Sequence, residues 1–176
     1  MQSNNQDFNI KALSKEEILG FLEDASLNWL AHDGLWFQAV ENRYGTENAS
    51  LCNQKAIAQY SQIEAKRIMK RLNLPRDGGI SALMTALKFR MYHLINRSDF
   101  QEVSENRCIF RMVTCRVQNA RKAKGLPDYP CKPVGVEEYS HFARAIDPRI
   151  KTRCLGCPPD AHSDDYWCSW EFTLEL

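Results

Sequence analysis

The sequence predicts an α+β fold in which a helical N-terminal half is followed by a mostly antiparallel sheet with helices packed on it. Three observations carry this expectation. Apolar residues recur at helical spacing through residues 14–95, and the period drops to two in the segments 108–113, 150–154 and 167–174. A chain of 176 residues, 44% hydrophobic and 26% charged, has the composition of one ordered domain and can bury roughly 70% of the surface its unfolded form exposes. The expected layout is a flexible segment 1–13 and a single α+β domain 14–176, split into a helical half, 14–96, and a sheet half with a cysteine cluster, 97–176. The helical half should hold about three helices, and the sheet about four strands with two packed helices.

Ser14-Lys15-Glu16-Glu17 is a capping box, in which the Ser14 oxygen serves the amide of Glu17 and the Glu17 carboxylate serves the amide of Ser14. The helix it starts runs through Ile18, Leu22, Ala25, Trp29, Trp36 and Val40, and Gly45 stops it. His32, Asp33, Phe37 and Glu41 fall beside the two tryptophans, so a histidine and two acids share the stripe expected to meet the core. Unpaired burial of such groups is costly. They read either as hydrogen-bonded packing or as a pocket wall.

A second helix is expected over residues 53–72, where Glu64 could meet Glu41 or His32 across a helical hairpin. The Asn73–Gly79 segment is a loop. A third helix covers 80–95 with Leu83, Leu87, Met91 and Leu94 inward. Phe100–Ser104 should pair with the strand containing Cys108, Phe110 and Met112 through a turn near Glu105. A short helix, 117–124, ends at Gly125, and the proline-rich stretch 126–135 is expected to be a loop presenting Cys131. A helix over 136–146 ends at Asp147-Pro148. Ile150, Thr152 and Cys154 form a strand leading into Cys154-Leu155-Gly156-Cys157-Pro158-Pro159, and the last strand aims Cys168, Trp170, Phe172 and Leu174 at one face.

No apolar run approaches the roughly 20 residues of a bilayer span, and Met1–Asn9 has no basic flank or apolar core of a secretory signal. A cytoplasmic location is expected. Seven cysteines in a reducing compartment are metal ligands or redox groups more often than disulfides. The net charge is +1, yet residues 107–153 hold eleven Lys/Arg and four Asp/Glu against twelve and eighteen elsewhere. A small anionic ligand would match the basic segment, as would an acidic neighbouring helix. The balance is far from the strongly basic footprint of nucleic-acid binders and argues against such a partner.

The Cys154-x-x-Cys157 gap is that of a metal knuckle, and zinc or an iron–sulfur cluster needs about four ligands. The predicted set is Cys131, Cys154, Cys157 and Cys168, with His162, Cys115 and His141 as alternates and zinc ahead of an iron–sulfur cluster. A thioredoxin-like dithiol ranks lower, because Pro158-Pro159 favours an extended exit over the helix N-terminus that activates such a thiol. A small-molecule hydrolase is the other reading, with His32, Asp33, Glu41, Glu64 and Cys115 as pocket candidates. There a cysteine nucleophile would need an imidazole base from His32, His141 or His162. Cys108 and Cys52 read as spectators.

His32-Asp33-Gly34-Leu35-Trp36-Phe37, Val40-Glu41, Glu64-Ala65, Pro130–Gly135, Ala145–Ile150 and the Cys154–Phe172 stretch together resemble a family of uncharacterised prokaryotic cytosolic proteins over residues 15–175. That resemblance implies shared fold and no particular reaction. Val113-Thr114-Cys115, the Cys131 loop and Cys168-Ser169-Trp170 are similar in outline to the L-2-amino-thiazoline-4-carboxylic acid hydrolase-like group. The Cys154-x-x-Cys157-Pro-Pro turn departs from that outline and shifts the expectation from a bare thiol nucleophile to a metal.

Overall fold

A computed structural model describes residues 9–175, so most of the segment expected to be flexible, residues 1–8, lies outside the described residues. Ile10–Ala12 form a 3-10 turn capped by Asn9. The helices are α1 (Lys15–Leu72), α2 (Gly79–Lys88), α3 (Met91–Ile95), α4 (Arg116–Ala123) and α5 (Lys132–Ile146), and the strands are β1 (Ser98–Gln101), β2 (Arg107–Met112), β3 (Ile150–Gly156) and β4 (Cys168–Leu174). The class is α+β, as the alternation of periods predicts.

The capping box forms at the start of α1: Glu17 N donates to Ser14 Oγ at 3.2 Å and Ser14 N donates to the Glu17 carboxylate at 2.8 Å. Gly45 breaks the helix at φ 82°, ψ 161°, a backbone region reserved for glycine. The chain folds back there, because Trp29 stacks on Tyr60 with centroids 5.2 Å apart. Residues 15–44 and 46–72 are therefore two arms of a hairpin. The helical stripe of the first arm does not all turn inward: Trp36 is 66% exposed and His32 is exposed, since only one narrow edge of this arm meets the rest of the chain.

The four strands form one antiparallel sheet in the order β1-β2-β4-β3. Cys108, Phe110 and Met112 of β2 and Trp170 and Phe172 of β4 face α5, whose Tyr139, Phe142, Ala143 and Ile146 fill the space between sheet and helices. Ala65 and Ile68 of the second arm and Leu83 and Leu87 of α2 complete this core. Gly135 allows α5 to rest on the Trp170 indole, since a Cβ there would meet Trp170 Cζ2 at 2.6 Å. On the opposite sheet face Glu171 is gripped by Arg107 and Arg153 at 2.8 and 2.7 Å.

Several boundaries differ from the sequence expectation, and the second helix, expected from residue 53, is already helical from 46. The expected third helix is interrupted at Arg90, whose extended backbone (φ −70°, ψ 148°) lets its side chain enter the core. β1 begins at Ser98, two residues early, because Asp99 pairs with Arg111 across the ladder at 2.7 Å. α5 starts at Lys132, so much of the expected proline loop is its first turn: Pro133 sits where no amide hydrogen is needed, and Gly135 N donates to Cys131 O at 2.8 Å. No helix among the described residues is long and apolar enough to cross a membrane.

Candidate functional site

Between the hairpin, α4, α5 and the end of the sheet lies a cavity of about 600 Å³. The first arm supplies one wall through Leu27, Leu30, Asp33 and Phe37; α4 and the segment before it supply Cys115, Val117 and Arg121; α5 supplies Val134 and Glu138. Tyr92 stands against Trp29 edge to face at 5.1 Å, and Tyr129 against Phe37 at 4.9 Å, so aromatic rings hold the middle of the first arm to the body at two points.

The turn that carries Tyr129 is fixed by buried Gln118, which donates to Tyr129 O at 2.8 Å and accepts from Tyr129 N at 2.9 Å. The same amide nitrogen donates to Cys131 Sγ at 3.0 Å. Burial pushes the Tyr129 hydroxyl up to about 12. Arg121 is buried and committed: it donates to Pro127 O at 2.9 Å and to Glu41 Oε2 at 3.2 Å. Arg116 and Lys124 are exposed at the rim.

The inner end of the cavity is acidic. Arg90, 2% exposed, donates through Nε to Glu64 at 2.8 Å and lies 2.7 Å from Glu138 through Nη2, off the line of a proper hydrogen bond. Its guanidinium covers the Phe142 ring at 4.6 Å. Burial raises the Glu138 carboxyl despite Arg90, and the charges of Glu64 and Asp33 raise it further. Asp33 is also raised, by burial, with His32 opposing. The Tyr92 hydroxyl is held well above its usual range by burial, then by Glu138 and Asp33.

The thiols gather along the cavity floor. The antiparallel β3–β4 pair places Cys154 opposite Trp170 and Gly156 opposite Ser169, and Lys132 N donates to Pro158 O at 2.8 Å, which draws the start of α5 onto the Cys157–Pro158 turn. Cys157 is buried, and its thiol has those of Cys131, Cys154 and Cys168 as hydrogen-bonding neighbours, which drive its ionisation far up. Cys154 moves the other way, to about 7, chiefly through the Cys157 thiol. Among the described residues no three His, Cys, Asp or Glu side chains form a ready-made group around a metal ion. Cys115 lies beside Cys131 and Cys168, and burial lifts it to about 12.

The remaining expected residues fall elsewhere. His162 Nδ1 is 2.9 Å from Ser163 O and its ring leans on Trp167, and His141 pairs with Glu137 on α5. Of the pocket candidates, Asp33 and Cys115 line the cavity, Glu41 holds Arg121, Glu64 holds Arg90, and His32 is exposed. No histidine among the described residues lines the cavity. Cys108 is buried in the sheet and Cys52 is exposed on the hairpin. Tyr92, Tyr129, Gln118 and Glu138 escaped the sequence reading. Glu138 alone carried a signal, as an acid on the side of the helix that also bears Phe142.

Fold and site together define an α+β domain with a ligand-sized cavity whose floor is a thiol cluster. The chain belongs to a family of unknown function, DUF6125, whose model matches residues 11–174. No curated protein matches it. Among solved structures, the phenol-responsive sensory domain of the transcription activator PoxR, determined with phenol, is similar in fold at a TM-score of 0.56 and 14% identity, covering 80% of this chain and 72% of that one. A likeness at that identity concerns the fold alone.

Proposed function

We propose that this chain is a small-molecule-binding domain whose ligand occupies the cavity between the first arm of α1, α4 and α5. The observation that carries this reading is the cavity itself. About 600 Å³ lies within the range of ligand pockets, and the wall combines an apolar majority with a few convergent polar groups. The phenol-bound sensory domain of similar fold adds support. A thiol nucleophile has less: Cys115 is raised to about 12 and has no imidazole beside it along the cavity.

We further propose that Cys131, Cys154, Cys157 and Cys168 hold a zinc ion, or less readily an iron–sulfur cluster, that ties α5 to the end of the sheet. The support is the chemistry of the donor set: four soft thiols, three of them neighbours of the Cys157 thiol, with that of Cys154 lowered toward ionisation by Cys157. The role of such an ion would be structural, fixing the cavity floor.

Thermal-shift titration with phenol and larger monocyclic aromatics tests the first proposal. Stabilisation is expected for the native chain and not for Ala31→Trp, which fills the cavity from the first arm. Equal shifts in both, or none in either, contradict it. Elemental analysis of protein purified without an affinity tag tests the second, with about one zinc per chain expected and lost in Cys157→Ser. Metal-free native protein that stays folded with reactive thiols sinks it.

A further inference from the structure

We propose that the ligand of this cavity is an apolar molecule bearing a protonated amine, or another compact cationic donor, seated between the carboxylates of Asp33 and Glu138. This deepens the small-molecule reading and rests on it. Asp33 and Glu138 line the inner end of the cavity, and Glu64 stands behind Glu138 on Arg90, the one guanidinium that the two glutamates share. Asp33 faces the cavity with burial and His32 as the influences on its charge, and its side chain accepts no hydrogen bond among the described residues. Asp33, Tyr92 and Glu138 all line this cavity, and the charges of Asp33 and Glu138 add to burial in raising the Tyr92 hydroxyl.

An ionised carboxylate out of water requires a partner, and two acids sharing a site resist joint ionisation. Burial raises both carboxyls, that of Glu138 despite the one guanidinium it shares with Glu64, so three acids are served by one buried cation. An alkylammonium group near the usual lysine range, about 10.4, stays protonated at neutral pH and supplies that charge together with three donors. The buried base on the opposite wall does not offer the reverse selectivity, because Arg121 is already satisfied by Glu41 and Pro127. An anion could meet Arg116 and Lys124 only at the exposed rim, where solvent weakens the attraction. The aromatic walls formed by Tyr92, Tyr129 and Phe37 suit the apolar remainder of the ligand.

The test is calorimetric titration of the full chain with three probes of similar size: phenethylamine, phenethyl alcohol and phenylacetate. The amine is expected to bind at least about tenfold more tightly than the alcohol, with phenylacetate weakest. Asp33→Asn and Glu138→Gln should each reduce the amine's advantage over the alcohol by at least about threefold. Asp33 lies on the lightly packed first arm, so its variant keeps the test available should Glu138→Gln fail to fold. Alcohol or phenylacetate binding as tightly as the amine overturns the charge assignment and leaves the cavity reading standing. Failure of all three to bind folded native protein overturns both.

Discussion

The two sides of the molecule are built to opposite specifications. The sheet, α5, α2 and the second arm of α1 enclose Trp170, Phe142, Phe172 and Leu83 almost completely, whereas in the first arm of α1, up to Gly45, Ser26 alone is fully buried among the described residues. The first arm carries Phe21, Leu35 and Trp36 in solvent and touches the body mainly through Trp29 and Phe37. Global stability should therefore reside in the sheet side, and ligand-dependent ordering in the arm, because local opening follows the number of buried apolar contacts. A cavity between a rigid body and a lightly held wall can admit a ligand without opening the core.

The largest effect expected is on the sheet side. Arg90→Met leaves Glu64 and Glu138 buried without their shared cation and should cost roughly 3–5 kcal/mol, read from the midpoint of urea unfolding. A cost below about 1 kcal/mol would contradict a stabilising role for the shared guanidinium. Next is Gly135→Ala, whose methyl would sit 2.6 Å from Trp170 Cζ2; lifting α5 off the indole should cost about 1–3 kcal/mol. Gly45→Ala should cost a similar amount, about 1–3 kcal/mol, from the backbone region it must adopt. The two glycine variants separate the regions. Gly45→Ala should weaken ligand binding by more than its loss of stability explains, whereas Gly135→Ala should act on stability first.

The smallest effect is a pH dependence. Buried Asp147 accepts from Arg149 and from Gly79 N at 3.1 Å, joining the end of α5 to the start of α2, and the Arg149 hydrogen bonds hold its carboxyl below the usual range. A lowered native value means the contribution is complete above the ordinary aspartate value of about 3.9 and is lost as pH falls below it. Native protein should lose stability in that acid window more steeply than Asp147→Asn, as followed by unfolding curves at stepped pH.

Much of the fold was legible because local chemistry decides it. Ser14 and Glu17 sit at the spacing of a cap, Gly45 is a residue that can turn a helix back at positive φ, and the alternation from Cys168 to Leu174 is that of a half-buried strand. The approach of Cys131, Cys154 and Cys168 to the Cys157 thiol follows from adjacent antiparallel strands and a proline turn, while their service as metal ligands is a proposal. What was hidden depended on long-range pairing. Arg90 looked like a helix interior residue because its partners, Glu64 and Glu138, are 26 and 48 residues away. Pro133 looked like loop because its tolerance in the first turn depends on where the helix starts. Trp36 looked like core because periodicity identifies a stripe without saying how much of it is covered. Of the cavity only the Asp33 and Phe37 wall had a sequence signature, as the other walls include Tyr92, Tyr129 and Glu138 on three separate segments.

Hydrogen–deuterium exchange of the full chain, with and without the tightest binder among phenethylamine, phenethyl alcohol and phenylacetate, tests the central claim most directly. Residues 27–38 of the first arm and the 115–121 segment should gain protection on binding, while β2, β4 and α5 beyond Tyr139 remain as slow as in the free protein. Protection confined to the sheet side, or unchanged exchange in 27–38 at saturating ligand, would contradict a binding site walled by the first arm.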